Sequence, residues 1–380
     1  MKQLSIGLVL DDSLDRPDGV QQYVLTLGCW LTEQGHNVHY LAGGPHKNED
    51  ADVHVLSKNV HVRFNGNRLS IPLPANQAKI KNLLTSLKLD VLHVQLPCSP
   101  WLAGRVVMAA APETAVVGTF HIVPKSQIAR QSSRGLALYE HKLLKRFQTV
   151  ISVSPAAQTF ARQVYGLTCI VEPNVIDLIP YRQVPGKSAG NQIVTIVFLG
   201  RLVERKGCEY LLRAIVELKD RPQLKPFRVL IGGRGPLEPR LKRFAWDHGL
   251  NKLVEFNGFI DEADKPEFLA QADLAIFPST AGESFGIVLL EAMAAAPGVV
   301  LAGDNEGYAS VMQPHIEQLF APRQSQLLAE KIAYYIQNKS ARQAAHRWQT
   351  RHVEQFDVNV VGPRIIDLYN QALRHRRDVR

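Results

Sequence analysis

Two glutamates eight residues apart carry the strongest chemical signal in the sequence. They lie in the string Gly282-Glu283-Ser284-Phe285-Gly286-Ile287-Val288-Leu289-Leu290-Glu291, at a predicted strand-to-helix turn. Ser284 could cap the helix, Gly286 would let backbone approach a ligand, and the N–H groups at the helix start suit a diphosphate. The carboxylates suit sugar hydroxyls, which need acceptors. A capped helix with one buried, paired glutamate explains the string equally well.

A second string places two long cations five residues apart, directly after a predicted strand. It reads Phe198-Leu199-Gly200-Arg201-Leu202-Val203-Glu204-Arg205-Lys206-Gly207. Preorganised cations stabilise the charge that develops on a departing nucleoside diphosphate, and Arg201 and Lys206 are candidates for that role. A basic loop that covers the end of a sheet is the alternative. The glycine turn Gly232-Gly233-Arg234-Gly235-Pro236-Leu237 also follows a strand and is a weak signal alone.

The first half of the chain offers polar residues at two predicted strand ends. Gly19 and Gln21 follow the first strand, and His121 ends the string Gly118-Thr119-Phe120-His121. A lone histidine is more often structural than catalytic. Asp50-Ala51-Asp52 has the Asp-x-Asp form of metal-dependent transferases, but it lies in a charged loop away from the other motifs. We interpret it as surface and predict no metal site.

The elements that must position these residues alternate between strand and helix. In the first half we predict strands at Ser5–Leu10, Val38–Ala42, Val91–Gln95, Ala115–Thr119 and Val150–Val153, and helices at Val20–Gln34, Ala75–Leu87, Trp101–Ala110, Gly135–Phe147 and Pro155–Val164. In the second half we predict strands at Ile193–Leu199, Phe227–Ile231, Leu253–Phe256, Leu274–Phe277 and Val299–Ala302, and helices at Cys208–Leu218, Leu237–Asp247, Phe285–Ala295 and Gln326–Tyr335. Such alternation predicts two doubly wound α/β domains that face each other across a cleft.

The predicted domain boundaries follow from where the alternation pauses. Residues 1–178 form the first domain, 179–192 a linker rich in Pro, Gly and Ser, and 193–357 the second domain. Two further helices, Ala341–Glu354 and Val358–His375, have no strand to alternate with. We expect residues 358–380 to pack on the first domain.

Composition narrows the class of protein further. The chain has 380 residues, 46% hydrophobic residues and a net charge of +9, which suits anionic partners. Its four cysteines have no metal-ligand spacing and fit a reducing compartment such as the cytoplasm. We see neither a signal peptide nor an apolar run long enough to span a membrane. Aromatic platforms and a basic recognition helix are missing, which argues against nucleic-acid binding.

The GESFGIVLLEAMA string and the GR…KG string together resemble family 4 retaining glycosyltransferases of GT-B fold. More narrowly, nearly the whole chain resembles the bacterial phosphatidylinositol mannosyltransferases. The resemblance implies that Glu283 contacts the donor sugar, Glu291 the nucleotide ribose, and Arg201 and Lys206 the diphosphate, without a metal. It places His121 beside the reaction centre, which favours a catalytic role for this histidine. The donor-binding residues implied are Gly19, Arg201, Lys206, Gly233, Gly235, Phe259, Glu283, Ser284, Phe285, Gly286, Ile287 and Glu291.

The acceptor side matches the family less closely. Gln21 aligns with an acceptor position, whereas Asn65 and Arg68 resemble an inositol phosphate-binding segment whose spacing differs by about two residues. Asp18 replaces a family glycine, so we expect it to cap the following helix or to point away from the donor. The resemblance favours GDP-mannose as donor and a phosphoinositide or other lipid headgroup as acceptor.

Two rival functions remain open at this point. One is another sugar-nucleotide enzyme on the same fold, such as a hydrolysing 2-epimerase. The other is a catalytically silent sugar-nucleotide-binding protein. A basic stretch that contains Lys125, Arg130, Arg134, Lys142, Lys145 and Arg146 also predicts peripheral attachment to an anionic inner leaflet, with an ordinary domain helix as the alternative.

Overall fold

We describe the protein from a computed structural model, over residues 2–15, 18–44, 52–64, 67–96, 99–123, 141–184 and 193–378. Within these ranges, the side chains of residues 61–71 and 377–378 are not described. The chain divides into two compact units, one formed by Met1–Val175 with Val358–Arg380 and the other by Ile176–Asp357.

The first unit is built on a seven-stranded parallel sheet. Its strands are β1 (Ser5–Leu10), β2 (Asn37–Gly43), β3 (Val53–Ser57), β6 (Val91–Gln95), β7 (Ala115–Phe120), β8 (Thr149–Ser152) and β9 (Ile170–Val171), in the order β3-β2-β1-β6-β7-β8-β9. A separate hairpin pairs β4 (Asn59–Phe64) with β5 (Asn67–Pro72). The helices are α1 (Gly19–Glu33), α2 (Gln77–Leu87), α3 (Leu102–Ala109), α4 (His141–Leu144), α5 (Pro155–Tyr165) and α14 (Val358–Asp378).

The long last helix, α14, completes the core of this first unit. Its apolar residues Val361, Ile365, Ile366 and Tyr369 are buried in the same cluster as strand β1 and helix α1. Its start is tied to α1 because the Trp30 indole N–H donates to Asn359 at 2.9 Å. The Tyr369 hydroxyl lies 2.7 Å from Nδ1 of His93, on strand β6.

The second unit repeats the architecture with a six-stranded parallel sheet. Its strands are β10 (Val194–Leu199), β11 (Phe227–Gly232), β12 (Val254–Gly258), β13 (Leu274–Phe277), β14 (Val299–Gly303) and β15 (Leu319–Phe320), in the order β12-β11-β10-β13-β14-β15. The helices are α6 (Ile179–Arg182), α7 (Cys208–Leu218), α8 (Glu238–Asp247), α9 (Lys265–Ala270), α10 (Ile287–Ala295), α11 (Glu306–Met312), α12 (Ser325–Gln337) and α13 (Lys339–His352). Short 3₁₀ turns lie at Glu204–Lys206, Ile316–Gln318 and Val353–Phe356.

The predicted pair of doubly wound α/β domains is confirmed, and several local predictions need correction. Of the helix predicted at Gly135–Phe147, residues His141–Leu144 are helical, the chain leaves the helix before Phe147, and 135–140 lie outside the described residues. The helix predicted from Phe285 begins at Ile287, because Gly286 has φ of +123° and holds the chain outside the helical region for two more residues. The predicted linker begins with a helical turn, Ile179–Arg182, and its remainder from 185 to 192 is not described.

Candidate functional site

The sheet of the second unit brings the two strongest sequence motifs to one place. Strand order reverses between β10 and β13, and parallel sheets bind ligands at such a switch point, beyond the carboxyl ends of the strands. The cationic string follows β10 and the two-glutamate string follows β13. Motifs separated by about eighty residues in the sequence therefore meet at this edge.

The centre of the site is Glu283 with three neighbours. Its Oε1 accepts from Nη1 of Arg205 at 2.5 Å, from Nζ of Lys206 at 2.9 Å and from the Ser279 hydroxyl at 2.7 Å. The Glu283 side chain is 10% exposed, and the two cations are nearly as buried. The site is thus a buried carboxylate held by two cations.

Electrostatics keep this carboxylate ionised. Burial alone would raise the pKa of Glu283, but Lys206, Arg205 and Ser279 outweigh it and lower the pKa from 4.5 to about 2. The pKa of Lys206 moves down as well, because burial and the neighbouring guanidiniums of Arg205 and Arg201 outweigh its pairing with Glu283. One carboxylate faces several cations here, so the cluster has positive charge in excess and suits an anionic ligand.

The turn around these residues is fixed by backbone contacts. The backbone carbonyl of Arg205 accepts from the Thr280 amide at 2.8 Å and lies 3.0 Å from the Ser279 hydroxyl oxygen, which ties the turn that holds Arg205 and Lys206 to the loop after β13. Arg201 is exposed, whereas Lys206 ends the 3₁₀ turn that begins at Glu204. The two predicted phosphate-binding cations therefore occupy different environments.

The predicted glycine turn after β11 lies against the turn after β10. Gly233 has φ of +129°, and a Cβ added there would come within 2.0 Å of the Gly200 carbonyl oxygen. A Cβ on Gly235 would come within 2.3 Å of the Leu202 carbonyl oxygen. Any larger residue at either position would push the two turns apart, so these glycines support the cationic turn.

The start of helix α10 differs from the sequence prediction. Gly286, not Ser284, occupies the N-cap position, and as a glycine it has no side chain with which to cap the helix. The ring of Phe285 is buried and packs edge-on against Phe356 at 5.7 Å, so only its backbone is available to a ligand. Ile287 is half-buried, and Phe259, beyond the end of β12, is 47% exposed.

Glu291 is the second glutamate, and it is also held by partners that the sequence does not reveal. Its Oε1 accepts from the Tyr181 hydroxyl at 3.1 Å and from Nζ of Lys265 at 3.2 Å. Although burial opposes it, attraction to Glu291 and Glu262 raises the pKa of Lys265. Helix α6 and helix α9 thus both fix the orientation of this carboxylate.

In the first unit His121 lies just past the end of β7 and is 6% exposed. Its Nε2 lies 2.7 Å from Oε1 of Gln95, which ends the adjacent strand β6. The ring packs edge-on against Tyr23 at 5.1 Å. Burial, with a smaller effect of the nearby His93, lowers the pKa of His121 to about 3. The imidazole is therefore neutral at physiological pH.

The polar groups at the start of α1 already make hydrogen bonds to nearby residues. The Asp18 carboxylate caps the helix and accepts from the Gly19 amide at 2.7 Å, as expected for an acid at this position. Gln21 is 4% exposed, and its Nε2 donates to the Ser13 carbonyl at 3.3 Å. The Gly19 N–H is therefore used by Asp18 in this structure, and Gln21 points into the protein.

Two predicted acceptor residues and one acidic pair are only partly described. Asn65 and Asp50 lie outside the described residues, and Arg68 lies on strand β5 without a described side chain. Asp52 is exposed, as predicted, but its carboxylate also contacts two histidines: it lies 2.5 Å from Nδ1 of His39 and 3.3 Å from Nε2 of His54. In the described part of the chain, these three side chains form the one group that could bind a metal ion. His39 lies on β2, His54 lies on β3, and Asp52 directly precedes β3.

The structure describes three of the six cations of the basic stretch, and two of these three are exposed and could contact a membrane surface. Lys125, Arg130 and Arg134 lie outside the described residues. Leu143 is buried in the core and Phe147 packs against it, so this apolar face belongs to the domain interior. Arg146 donates to the Ala110 carbonyl at 2.8 Å, whereas Lys142 and Lys145 are exposed. Among the helices that the structure describes, none combines the length and apolarity that a membrane span requires.

Sequence reasoning missed four residues that hold the two glutamates: Arg205, Ser279, Tyr181 and Lys265. Arg205 lies in the same string as Arg201 and Lys206, but no pattern in that string assigns it a partner. Tyr181 is 110 residues from Glu291 in the sequence, so no local pattern links them. The Lys265–Glu291 pair likewise depends on the packing of α9 against α10.

Comparisons with known proteins agree with this arrangement. Residues 17–180 match the family described as Glycosyltransferase Family 4, and residues 184–352 match the family described as Glycosyl transferases group 1. A phosphatidyl-myo-inositol mannosyltransferase of Mycolicibacterium smegmatis is 31% identical over 372 residues, which cover 96% of this chain and 93% of that protein. The enzyme of the same name from Mycobacterium leprae is 30% identical, with 96% of each chain covered.

Solved structures show the same fold at low sequence identity. A glycosyltransferase from Rickettsia africae superimposes with a TM-score of 0.77 at 18% identity and covers 98% of this chain and 99% of its own. HepE of Anabaena, solved in complex with UDP and glucose, gives a TM-score of 0.72 at 19% identity, with 97% of this chain and 100% of that chain covered. The fold of this protein is therefore the GT-B fold that the motifs predicted.

Proposed function

The chain belongs to glycosyltransferase family 4, and we propose that it transfers mannose from GDP-mannose to the headgroup of a phosphoinositide lipid, with retention of anomeric configuration. That it is a glycosyltransferase follows from the family. The sugar and the acceptor are proposed from the near full-length similarity to enzymes named phosphatidyl-myo-inositol mannosyltransferases.

The observation that carries the proposal is the contact of Glu283 with Lys206 at the strand switch point. An ammonium has three N–H groups, so Lys206 can keep its contact with Glu283 and still donate to a phosphate oxygen. Arg201, which is exposed and lies between β10 and the 3₁₀ turn that holds Lys206, supplies a second cation. The described contacts of Glu283 fall on Oε1, and we place a hydroxyl of the donor sugar on Oε2.

The reaction we propose is a front-face displacement. The bond from the anomeric carbon to the diphosphate oxygen breaks, and a bond to the acceptor hydroxyl oxygen forms on the same face. The departing phosphate oxygen takes the acceptor proton while Arg201 and Lys206 hold its charge. In this reaction Glu283 positions the sugar, because its Oε1 is held by Arg205, Lys206 and Ser279 and its Oε2 faces a sugar hydroxyl.

The donor is tested first by binding. We expect GDP and GDP-mannose to raise the melting temperature more than UDP, ADP or their sugars, because a ligand at 100 times its Kd adds about 2.7 kcal/mol of stability. Incubation with GDP-mannose and phosphatidylinositol vesicles should then give a mannosylated lipid with the anomeric configuration of the donor, read by mass spectrometry and NMR.

The same incubation separates the rival functions. Without acceptor, a hydrolysing epimerase would release free nucleotide and an altered sugar in equal amounts. A silent binding protein would give a thermal shift and no product at all. Transfer to lipid with GDP released in equal amount is the outcome that supports our proposal.

Metal independence is a separate prediction. The proposed phosphate ligands are Arg201 and Lys206, and we expect transfer to continue at an unchanged rate in excess EDTA. Loss of activity that Mn²⁺ or Mg²⁺ restores would contradict the prediction. Because His39, Asp52 and His54 could bind a cation elsewhere, a His54→Gln variant serves as control, and it should behave like the wild type in EDTA.

We also propose reversible attachment to anionic lipid through the exposed lysines of the basic stretch. Each Lys or Arg near such a surface contributes ~1 kcal/mol, so the binding should be salt-sensitive. Replacing Lys142 and Lys145 with Gln should weaken co-sedimentation with anionic vesicles at low salt. Arg146→Gln is the matched control, because this arginine is bonded to Ala110 and should contribute little. Equal binding of the wild type to neutral and anionic vesicles would rule the proposal out.

A further inference from the structure

Asp52 and two histidines form a cluster at one edge of the first sheet. Oδ2 of Asp52 lies 2.5 Å from Nδ1 of His39, and its Oδ1 lies 3.3 Å from Nε2 of His54. Each residue offers one ligand atom, and the three atoms lie within 4.8 Å of one another. Imidazole nitrogens and carboxylate oxygens are ligands that Zn²⁺ binds, often three from the protein with water in the fourth position. The cluster therefore has the chemistry of a zinc site.

Strand register explains why these three side chains meet. The edge strand β3 pairs in parallel with β2, and His54 is the register partner of Leu41. Asp52 directly precedes β3, and its carbonyl accepts from the Tyr40 amide at 2.9 Å. Side chains two residues apart on a strand share a face, so Asp52 and His54 project to the same side of the sheet as His39 and Leu41. The pairing of β2 with β3 thus holds the three ligands together.

The cluster has an unused ligand atom and an open side. Nε2 of His54 is buried and makes no hydrogen bond within the described part of the chain. The side chain of His39 is 8% exposed, whereas that of Asp52 is 54% exposed. An ion can therefore enter from the Asp52 side and keep a water ligand there. Ligand atoms in a tetrahedral zinc site are about 3.3 Å apart, so the exposed carboxylate of Asp52 needs to move by less than about 1 Å to admit the ion.

A neighbour of His39 can hold its ring in the metal-binding form. Nε2 of His39 lies 3.0 Å from Nδ2 of the Asn37 amide. An imidazole that binds a metal through Nδ1 carries its proton on Nε2 and usually donates it to an oxygen. A half-turn of the Asn37 amide presents its Oδ1 to this N–H. Asn37 is exposed, so it has room for this rotation.

We propose that His39, Asp52 and His54 bind a Zn²⁺ ion that fastens the edge strand β3 to β2. The three residues lie near the amino ends of these strands, whereas parallel sheets bind substrates beyond the carboxyl ends. The ion is therefore structural, and transfer continues when a chelator removes it. The proposal departs from the expectation of no metal site, which treats Asp50-Ala51-Asp52 as surface. His39 is 13 residues from Asp52 in the sequence, and only the pairing of the strands brings the two together.

Metal binding is measured on the full-length protein after EDTA treatment and removal of the chelator. Equilibrium dialysis against Zn²⁺, read by elemental analysis, should show about one ion per chain in the wild type. Asp52→Asn and His54→Gln each remove a ligand and should bind Zn²⁺ at least roughly tenfold more weakly. Asn37→Ala leaves the ligands in place and should weaken binding about 10–100-fold, as the loss of a group that orients a ligand does.

His315→Gln is the matched control. Nδ1 of His315 lies 2.8 Å from Oε1 of Glu317, so this pair also joins a histidine to a carboxylate, but the described residues add no third ligand. The variant should bind Zn²⁺ like the wild type. Absorption spectra with Co²⁺ in place of Zn²⁺ identify the ligands, because a cysteine thiolate adds a strong near-ultraviolet band that imidazole and carboxylate lack. A thiolate band, no binding in the wild type, or equal binding by the wild type and His54→Gln would overturn the site.

The structural role of the ion is tested by hydrogen exchange. The Tyr40 amide donates to the Asp52 carbonyl across the two strands, so its exchange reports their separation. At a free Zn²⁺ concentration of about 100 times the Kd, exchange of this amide should slow by roughly 10–100-fold in the wild type and not in His54→Gln. Binding without this protection would show that the ion does not fasten β3. These measurements need neither donor nor acceptor, so they decide the proposal whatever the outcome for the proposed function.

Discussion

Replacing Lys206 with alanine is expected to lower kcat by about 10²–10³-fold while changing the affinity for the donor much less. Charge builds on the leaving diphosphate chiefly in the transition state, and the loss of one preorganised contact to it typically has this effect. Arg205 remains on Glu283 in the variant, so the carboxylate keeps one cationic partner and the protein should still fold. Steady-state kinetics with saturating donor, together with donor Kd from calorimetry, measure the two effects separately.

Lys331→Ala is the control for this prediction. Lys331 also lies in the second unit and donates to the backbone carbonyls of Glu317 and Leu319, away from the switch point. Its removal should cost some stability and leave kcat unchanged. If Lys206→Ala weakens donor binding and keeps full turnover under saturation, Lys206 binds the ground state and its proposed role is wrong.

Glu283→Gln should lower both stability and activity. The substitution leaves Arg205 and Lys206 buried without an anion, and removal of one partner from a buried ion pair costs about 3–5 kcal/mol. The donor sugar would lose the carboxylate that positions it, and misplacement of a reactant can reduce turnover by ~10². Denaturant titration and kcat at saturating donor measure these effects. Glu209→Gln is the control, because Glu209 also pairs with two cations, Arg213 and Arg240, but both are exposed, and it should cost about 1 kcal/mol or less per pair.

The stability effect of Glu283 has a defined pH dependence. Because folding lowers its pKa from 4.5 to about 2, the ionised carboxylate stabilises the folded state fully above pH 4.5, by about 3 kcal/mol. That stabilisation is lost as the pH falls from 4.5 towards 2. The difference between the wild type and Glu283→Gln should therefore be constant from pH 8 to 5 and shrink below pH 4.5. A difference that stays the same at pH 3 would mean that the loss comes from packing and not from charge.

The sequence reveals the central elements of the fold because their patterns are strong and local. Val194–Leu199 is a run of six apolar and β-branched residues, and all six are buried in the central strand of the second sheet. The hairpin of β4 and β5 was missed although its signal is present. Phe64 pairs with Asn67, and the dipeptide between them, Asn65-Gly66, is typical of a two-residue hairpin turn.

The site was only partly predictable, for a physical reason. Glu283 and Glu291 stand out because carboxylates on either side of a helix start are unusual, and their family strings are specific. Their partners are chosen by tertiary packing. Nothing in the sequence distinguishes Arg205 from Lys206 as a partner of Glu283, and both contact it because they follow each other in a 3₁₀ turn. The Gln95–His121 contact depends on strand register, which places Gln95 opposite Thr119.

The position of α14 in the first unit has a consequence for biosynthesis. The core around β1 and α1 includes Val361, Ile365 and Tyr369, which the ribosome adds only after all of Ile176–Asp357. At 5–20 residues per second the intervening stretch takes about 10 to 40 s to make. At the end of that time the second unit has every residue of its own core, whereas the first unit, although made earlier, still exposes the apolar surface that α14 will cover. The half of the protein that is translated first is therefore completed last, and chaperones would meet it in that unfinished state.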